Sequence, residues 1–454
     1  MTKESIILMI KRTPETQPSI RSTNSLVNVI LVTNAFVWYF FVITILKNVV
    51  GNFQSPLLAL QIWGIHFLAI VISAIIGANF AGRIHNRSKF LVFWMILGML
   101  SSVFSLFLDV TYVSNALAIA FLLGLSLGIG MPSCMGYFTE SIKIENRGRI
   151  GGIIMLISGL GMIGLATISE GNSSLQELIL VLWRTFGLIA FLALQGKVKN
   201  IHVNLQSSYK TLINYRPFLL YFVPWIMFSL ITYLTLPIQT KYLGQAEADY
   251  LIMWDNVITG VFAIAGGFLI DILGRKRMSI VGFAMLGTAY AVLGLFYDMR
   301  FSWYFYTIID GVAWGIFYVI FVVIIWGDLS QGKASDKYYA IGVLPFFVSN
   351  FIRLTVGNNL GDYIPTAAIF SFIAFFLFLA VLPLVYAPET LPEKQMKDRE
   401  LKSYIEKAQK MVDKEQEKNK KHRKNRAKSN EEEQPTQQNS EEYEKAKQLA
   451  EKYY

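Results

Sequence analysis

Cysteine is nearly absent from the 454 residues: Cys134 is the single one. One thiol excludes an intramolecular disulfide and any multi-cysteine metal site, and Cys134 is read as an inert packing residue. Charge is scarce too, at 16% of residues against 54% hydrophobic and 14% aromatic. So apolar a chain excludes an ordinary soluble domain of this length and points to a polytopic membrane protein. No phosphate loop, no pair of histidines at helical metal-ligand spacing and no nucleophile motif is present, which argues against an enzyme and against an ATP-driven machine. No cofactor is expected. The net charge of +10 is gathered in loops and in a C-terminal tail, where membrane orientation explains it without a nucleic-acid partner. Ile6 to Ile10 is too short for a signal-peptide core and Pro14 and Pro18 follow it, so residues 1–25 are read as a cytoplasmic lead-in.

What is there in abundance is long apolar runs. A spanning helix needs about 20 such residues, because about 1.5 Å of rise per residue must cover about 30 Å of hydrocarbon. Twelve stretches qualify: 26–46, 57–78, 90–108, 115–136, 150–168, 177–195, 217–239, 250–270, 278–297, 301–326, 338–357 and 363–387. Counting Lys and Arg on alternate sides gives nineteen before the tail on one side and three, Lys47, Lys241 and Arg300, on the other. Cytoplasmic loops collect cations, so both termini are expected in the cytoplasm.

The chain also repeats itself. Superposing Gly82 on Asp271 sets an offset of 189 residues, which brings Leu97-Gly98 onto Leu286-Gly287. Gly124-x-x-x-Gly128 meets Gly311-x-x-x-Gly315 at an offset of 187. Small residues four apart let helices approach closely in lipid, and here they fall on the fourth helix of each half. The expected organisation is all-α: a bundle over 26–195, a polar linker over 196–216, a second six-helix bundle over 217–387 and a charged tail over 388–454.

Between two apolar runs stands Gly267-Phe-Leu-Ile-Asp271-Ile-Leu-Gly274-Arg275-Lys276-Arg277. Glycine permits the positive φ of a very short turn, and the cations pin that turn to one membrane face. The stretch resembles the signature loop between the second and third helices of each half of the major facilitator superfamily. Other loops are similar to the sugar-porter branch: Pro132 to Gly151, with Glu140, Arg147 and Arg149; Trp183-Arg184 at the sixth helix; and Pro388-Glu389-Thr390 after the twelfth. Trp326-Gly327-Asp328 through Lys337 is the second-half counterpart of the Glu140 loop. In the first-half signature loop Gly82 stands at the carboxylate position, His85 at the glycine and Asn86 at the arginine, while Arg83, Arg87 and Lys89 remain.

The resemblance implies alternating access, with two bundles rocking about a central site. Asp271, Glu140 and Asp328 lie where helices end and cations cluster, so ion pairs there can bias a two-state equilibrium. The candidate gate is Asp271, Gly267, Gly274, Arg275, Lys276, Glu140, Arg147, Arg149, Asp328, Lys337, Arg83 and Arg87. The plainer role for the same residues is to fix topology and cap helices.

Charges inside lipid are costly unless paired or facing water. Asp310 on the tenth helix, Arg353 on the eleventh and Asp255 on the eighth sit at similar depth toward the outer side. They read as one cluster: Asp310 and Arg353 as a pair that substrate or proton breaks, with Asp255 competing, or else as a permanent packing pair. Asn34, Gln61 and His66 are the polar candidates in the first two helices, His66 because it titrates near neutral pH when solvated. Arg184 is expected at a helix end.

In the tail, Leu401, Ile405, Ala408 and Val412 recur at helical spacing ahead of the basic Lys418–Lys428 run, so anionic lipid contact and a merely solvated tail are both open. The leading expectation is a monomeric transporter in the cell membrane, moving a sugar or other small polar solute with protons or another coupling ion. An exporter of amphipathic compounds is the alternative, and a transport-inactive solute sensor signalling through the tail is the reading from another class.

Overall fold

A computed structural model describes residues 19–84, 86–169, 171–195, 208–231, 235–355 and 365–391, with Lys410, Met411, Lys414, Glu444 and Gln448 beyond them. Contacts divide the chain into Met1–Thr390 and Leu391–Tyr454. Residues 1–18, His85, positions 196–207 of the linker and the tail residues that carry its amphipathic and basic patterns lie outside the described residues.

The first unit is helical. Its first six helices are α1 Ser19–Gly51, α2 Pro56–Ala81, α3 Arg87–Phe107, α4 Val113–Ser141, α5 Arg147–Ile168 and α6 Ser173–Gln195. After a short linker helix, Tyr209–Ile213, come α7a Arg216–Ile231 and α7b Thr235–Leu243, α8 Gln245–Leu273 and α9 Arg275–Phe296. The last three are α10 Arg300–Ser330, the pair α11a Ser335–Gly342 and α11b Leu344–Thr355, and α12 Thr366–Tyr386. Among the described residues ten helices are long and apolar enough to span a membrane. The expected eleventh span is interrupted at Val343, and positions 232–234 of the seventh lie outside the described residues. In the eleventh the break has a local cause: Pro345 has no N–H to give to a preceding turn, so the helix restarts at Leu344.

α2 shows how apolar residues serve both sides. Phe67, Ile70, Ala74 and Ala78 are buried, whereas Leu68, Ile72, Ile76 and Phe80, four apart, are exposed. A stripe of this kind is stable facing lipid, and the backbone polar groups are satisfied within the helix.

The duplicated glycine motifs set the packing of each half. A Cβ on Gly124 would collide with the His66 carbonyl oxygen of α2, and one on Gly128 with that of Ile70. In the second half a Cβ on Gly311 would meet Ile258 and Asp255 of α8, and one on Gly315 would meet Ala263 and Thr259. Thus α4 rides on α2 as α10 rides on α8. Gly128→Leu is expected to force the α2–α4 pair apart at a cost of about 3 kcal/mol or more. A lowered unfolding midpoint in detergent would report it, and an unchanged midpoint would show that the contact is dispensable.

Candidate functional site

The loops joining α2 to α3, α4 to α5, α8 to α9 and α10 to α11 share one end of the bundle, here called the basic end. Asp271 ends α8 there and is fully buried. Its carboxylate accepts hydrogen bonds from the Gly148 and Arg149 backbone N–H groups, both at 2.9 Å. These belong to the first turn of α5, where N–H groups lack intrahelical partners and the helix dipole favours a negative charge. A residue of the second half therefore caps a helix of the first. The cap needs close backbones: a Cβ on Gly267 would collide with the Gly148 carbonyl oxygen. The glycine and the acid of the signature loop serve the same contact.

Arg275, also fully buried, holds Asp271 at 3.2 Å and Asp328 at 3.0 Å. Arg147 of α5 reaches the other oxygen of Asp328 at 2.5 Å, a pair that joins the halves directly. Arg149 lies 3.8 Å from Asp271 and is partly exposed. A second network stands beside the first. Arg87 of α3 binds Glu140 of α4 at 2.7 Å and, across the halves, Asp336 of α11a at 2.6 Å. Ser335 donates to Glu140 at 2.6 Å.

The remaining candidates at this end take other places. Gly274 adopts φ +100°, as its turn requires, and a Cβ there would collide with Glu389. Glu389, from the Pro-Glu-Thr stretch, accepts from the backbone N–H groups of Arg275 and Lys276 and so caps α9. The Lys276 ammonium bonds to the Val385 carbonyl. Lys337 sits over the ring of Tyr209 at 5.3 Å. Burial, with a smaller push from Asp336, moves the Tyr209 phenol up to about 12, so it stays a neutral donor to the Ile75 carbonyl at physiological pH. Arg83 is exposed and joins no ion pair among the described residues.

Toward the opposite end, within the second half, lies a cavity of about 200 Å³. Asp255 and Asn256 of α8, Asp310, Trp314 and Tyr318 of α10, and Arg353 of α11b all line it. The three charges of the expected cluster are therefore brought to one space. Asp310 and Arg353 form no direct ion pair among the described residues. Tyr306, one turn before Asp310, lines the same cavity. Tyr306 is linked in turn to Tyr290 at 3.1 Å and Tyr290 to Thr235 at 2.6 Å.

Residues 217–427 match the family model described as Major Facilitator Superfamily. A crystal structure of the E. coli fucose:proton symporter FucP aligns with TM-score 0.64 at 12% identity, covering 80% of this chain and 98% of that one. The proton:xylose symporter XylE bound to 6-bromo-6-deoxy-D-glucose aligns with TM-score 0.58 at 14% identity, covering 82% and 97%. The second half of the chain thus matches the major facilitator superfamily in sequence. No curated protein matches it significantly in sequence. At these identities the two structures speak for the fold, and the match of the second half, with the ten apolar helices, supports a multi-pass membrane transport protein rather than an enzyme.

In this transporter the first-half candidates do not join the cavity. Asn34 is buried in the first bundle, giving its amide to the Trp183 carbonyl at 2.7 Å and accepting from Arg184 at 2.9 Å. Arg184, expected at a helix end, is instead fully buried in the middle of α6, its guanidinium 4.3 Å from the Trp94 ring and 5.1 Å from that of Trp38. Facing aromatic rings replace an acid as its partner, which makes a mid-membrane position tolerable. Gln61 is exposed on α2. His66 is fully buried with Nδ1 at 3.0 Å from the Ala120 carbonyl oxygen. It occupies the first-half place of Asp255, at the same 189-residue offset, so the repeat itself carried a signal that pairs the two positions.

Proposed function

We propose that this transporter carries a small polar solute, a sugar or another polar metabolite, across the cell membrane by alternating access, either facilitatively or coupled to protons or another ion. The observation that carries the reading is the pairing of a charged cavity in one half with buried ion pairs that tie both halves at the far end of the same helices. On this reading the basic end is cytoplasmic, as are both termini, and the conformation described is the one closed on that side. Arg147–Asp328, Arg87–Asp336 and the Asp271 cap of α5 are the closed gate. Rupture of such contacts and their hydration in the other state supplies the second member of a two-state equilibrium.

Four carboxylates and four guanidiniums in a low-dielectric contact stabilise the closed state chiefly through geometry, since desolvation offsets much of the attraction. That balance suits a gate, which must open at modest cost. Flux into proteoliposomes containing the purified full chain tests the reading. Accumulation or exchange of a solute that also protects the protein against heat is expected. Binding of that solute without any flux would instead favour a sensor.

Asp328→Asn is expected to weaken the gate at both Arg147 and Arg275 and to leave the cavity intact. Solute affinity should then change less than threefold while the rate of inward opening rises, which fluorescence from a labelled loop residue would follow. A large loss of affinity with no change in opening would show that Asp328 acts on the site and not on the gate.

A further inference from the structure

The charges of the cavity identify what it is built to hold. Asp255 and Asp310 come from α8 and α10, which are clamped together where Gly311 meets the Asp255 backbone. Asp310 is only 7% exposed. On each of the two carboxylates, Oδ1 is buried with no hydrogen-bond partner among the described residues. The hydroxyls nearby are already engaged with one another in the Thr235–Tyr290–Tyr306 chain. The third charged group on the wall is Arg353.

Two carboxylates, each with an oxygen that no described residue satisfies, call for a positively charged donor in the space they line. A buried carboxylate is costly until such a charge is supplied. The neutral polar lining, Asn256, Thr235 and Gln239, satisfies hydroxyls and does not neutralise an acid. The aromatic lining points the same way. Trp314 and Tyr318 stack with ring centroids 4.9 Å apart on the cavity wall. Indole and phenol faces attract cations and gain more when water is excluded.

We infer that Asp255 and Asp310 bind the ammonium group of a small organic amine, and that a solute which also bears a carboxylate presents it to Arg353. The inference rests on the transport reading of this cavity and narrows its solute class. It places the neutral sugars outside that class. Recognition is directional, since the acids lie on α8 and α10 and the guanidinium on α11b, so a zwitterion would bridge separate elements of the cavity wall. An ammonium group alone would engage α8 and α10 only.

Thermal unfolding of the purified full chain in detergent, with ethanolamine, L-serine, D-glucose or D-lactate at equal concentration, tests this, because a ligand that favours the folded state raises the midpoint. Ethanolamine, L-serine or both are expected to raise it, and D-glucose and D-lactate to leave it unchanged. In Asp255→Asn and Asp310→Asn the concentration of amine needed for half the shift should rise at least tenfold. Stabilisation by L-serine and not by ethanolamine would assign Arg353 as the required second contact, and Arg353→Gln should then abolish that shift. Stabilisation by D-glucose alone, no shift with any of the four, or an amine shift unaltered in both Asn variants would overturn the inference. The two readings fail separately. D-glucose stabilisation with flux would keep the transporter and discard the amine, whereas amine stabilisation without flux would keep the site and discard transport.

Discussion

Arg87→Gln is expected to open the basic end. Arg87 is the buried cation between two acids, Glu140 in its own half and Asp336 in the other, and only the second pair crosses the interface. Removing one member of a buried network leaves its partners uncompensated, at a cost of about 3–5 kcal/mol. Here the penalty falls on the closed state alone, because in an open state both acids reach water. The population should therefore move toward the open form by roughly 100-fold or more, since about 1.4 kcal/mol is a factor of ten. Spin labels at Lys143→Cys and Lys333→Cys, both exposed loop positions on opposite halves, would read the change as a longer and broader distance. Cys134 is buried and free, so it leaves the labelling selective.

The neighbouring variants order the argument. Asp336→Asn deletes the crossing ion pair while leaving Arg87 on Glu140 and the Ser335 hydrogen bond across to Glu140, so it should open the end less than Arg87→Gln does. Glu140→Gln keeps the crossing pair and should open it least. A label distance in Arg87→Gln identical to that of the unmodified protein would mean that this network fastens nothing and that α11a is held by packing alone.

Much of this gate was legible in the residues. The signature loop announced Asp271, Gly274 and Arg275, and the loop after α4 announced Glu140 and Arg147. What the sequence could not say is which acid meets which base across the halves. Asp336 is one such case: it stands beside Lys337, the gate candidate of that loop, yet it is Asp336 that answers Arg87. The first-half loop lacks its own acid at Gly82, and that deficit is made good from the other half of the chain. A compensation of this kind has no local pattern, because the two residues are 249 positions apart. Glu389 was legible as part of a motif, but its task as the cap of α9 depends on how the chain returns after α12.

The cavity was partly legible for a different reason. A charged residue in an apolar run is conspicuous, so Asp255, Asp310 and Arg353 stood out, and their equal depth suggested one cluster. Their mutual arrangement did not follow, since the face of α8 that meets α10 is set by the Gly311 and Gly315 contacts. Asn34 shows the converse. It is as conspicuous as Asp310, and the structure uses it to hold Arg184 between Trp38 and Trp94.

Asp310→Asn is the variant expected to affect transport most. The substitution keeps the shape of the side chain and removes its charge, so its packing survives while the attraction for a cation does not. Solute flux should fall about 100-fold, equivalent to about 2.7 kcal/mol of lost stabilisation, and its dependence on pH should flatten. Stability in detergent should be unchanged or raised, because an acid with an unpartnered buried oxygen has been replaced by a neutral group. The effect should also reach the gate along α10. After Asp310, Trp314 and Tyr318, this helix passes through a π-helical stretch, Tyr318–Ile324, before arriving at Asp328. Such wide turns are uncommon and occur mostly at functional sites. Occupancy at Asp310 can be transmitted as a shift of that stretch between π and α pairing, which would move Asp328 relative to Arg147. Adding solute should then lengthen the Lys143–Lys333 label distance in the unmodified protein and leave it fixed in Asp310→Asn. Solute uptake and a pH profile unaltered by Asp310→Asn would sever the cavity from the gate and reduce the acid to a packing residue.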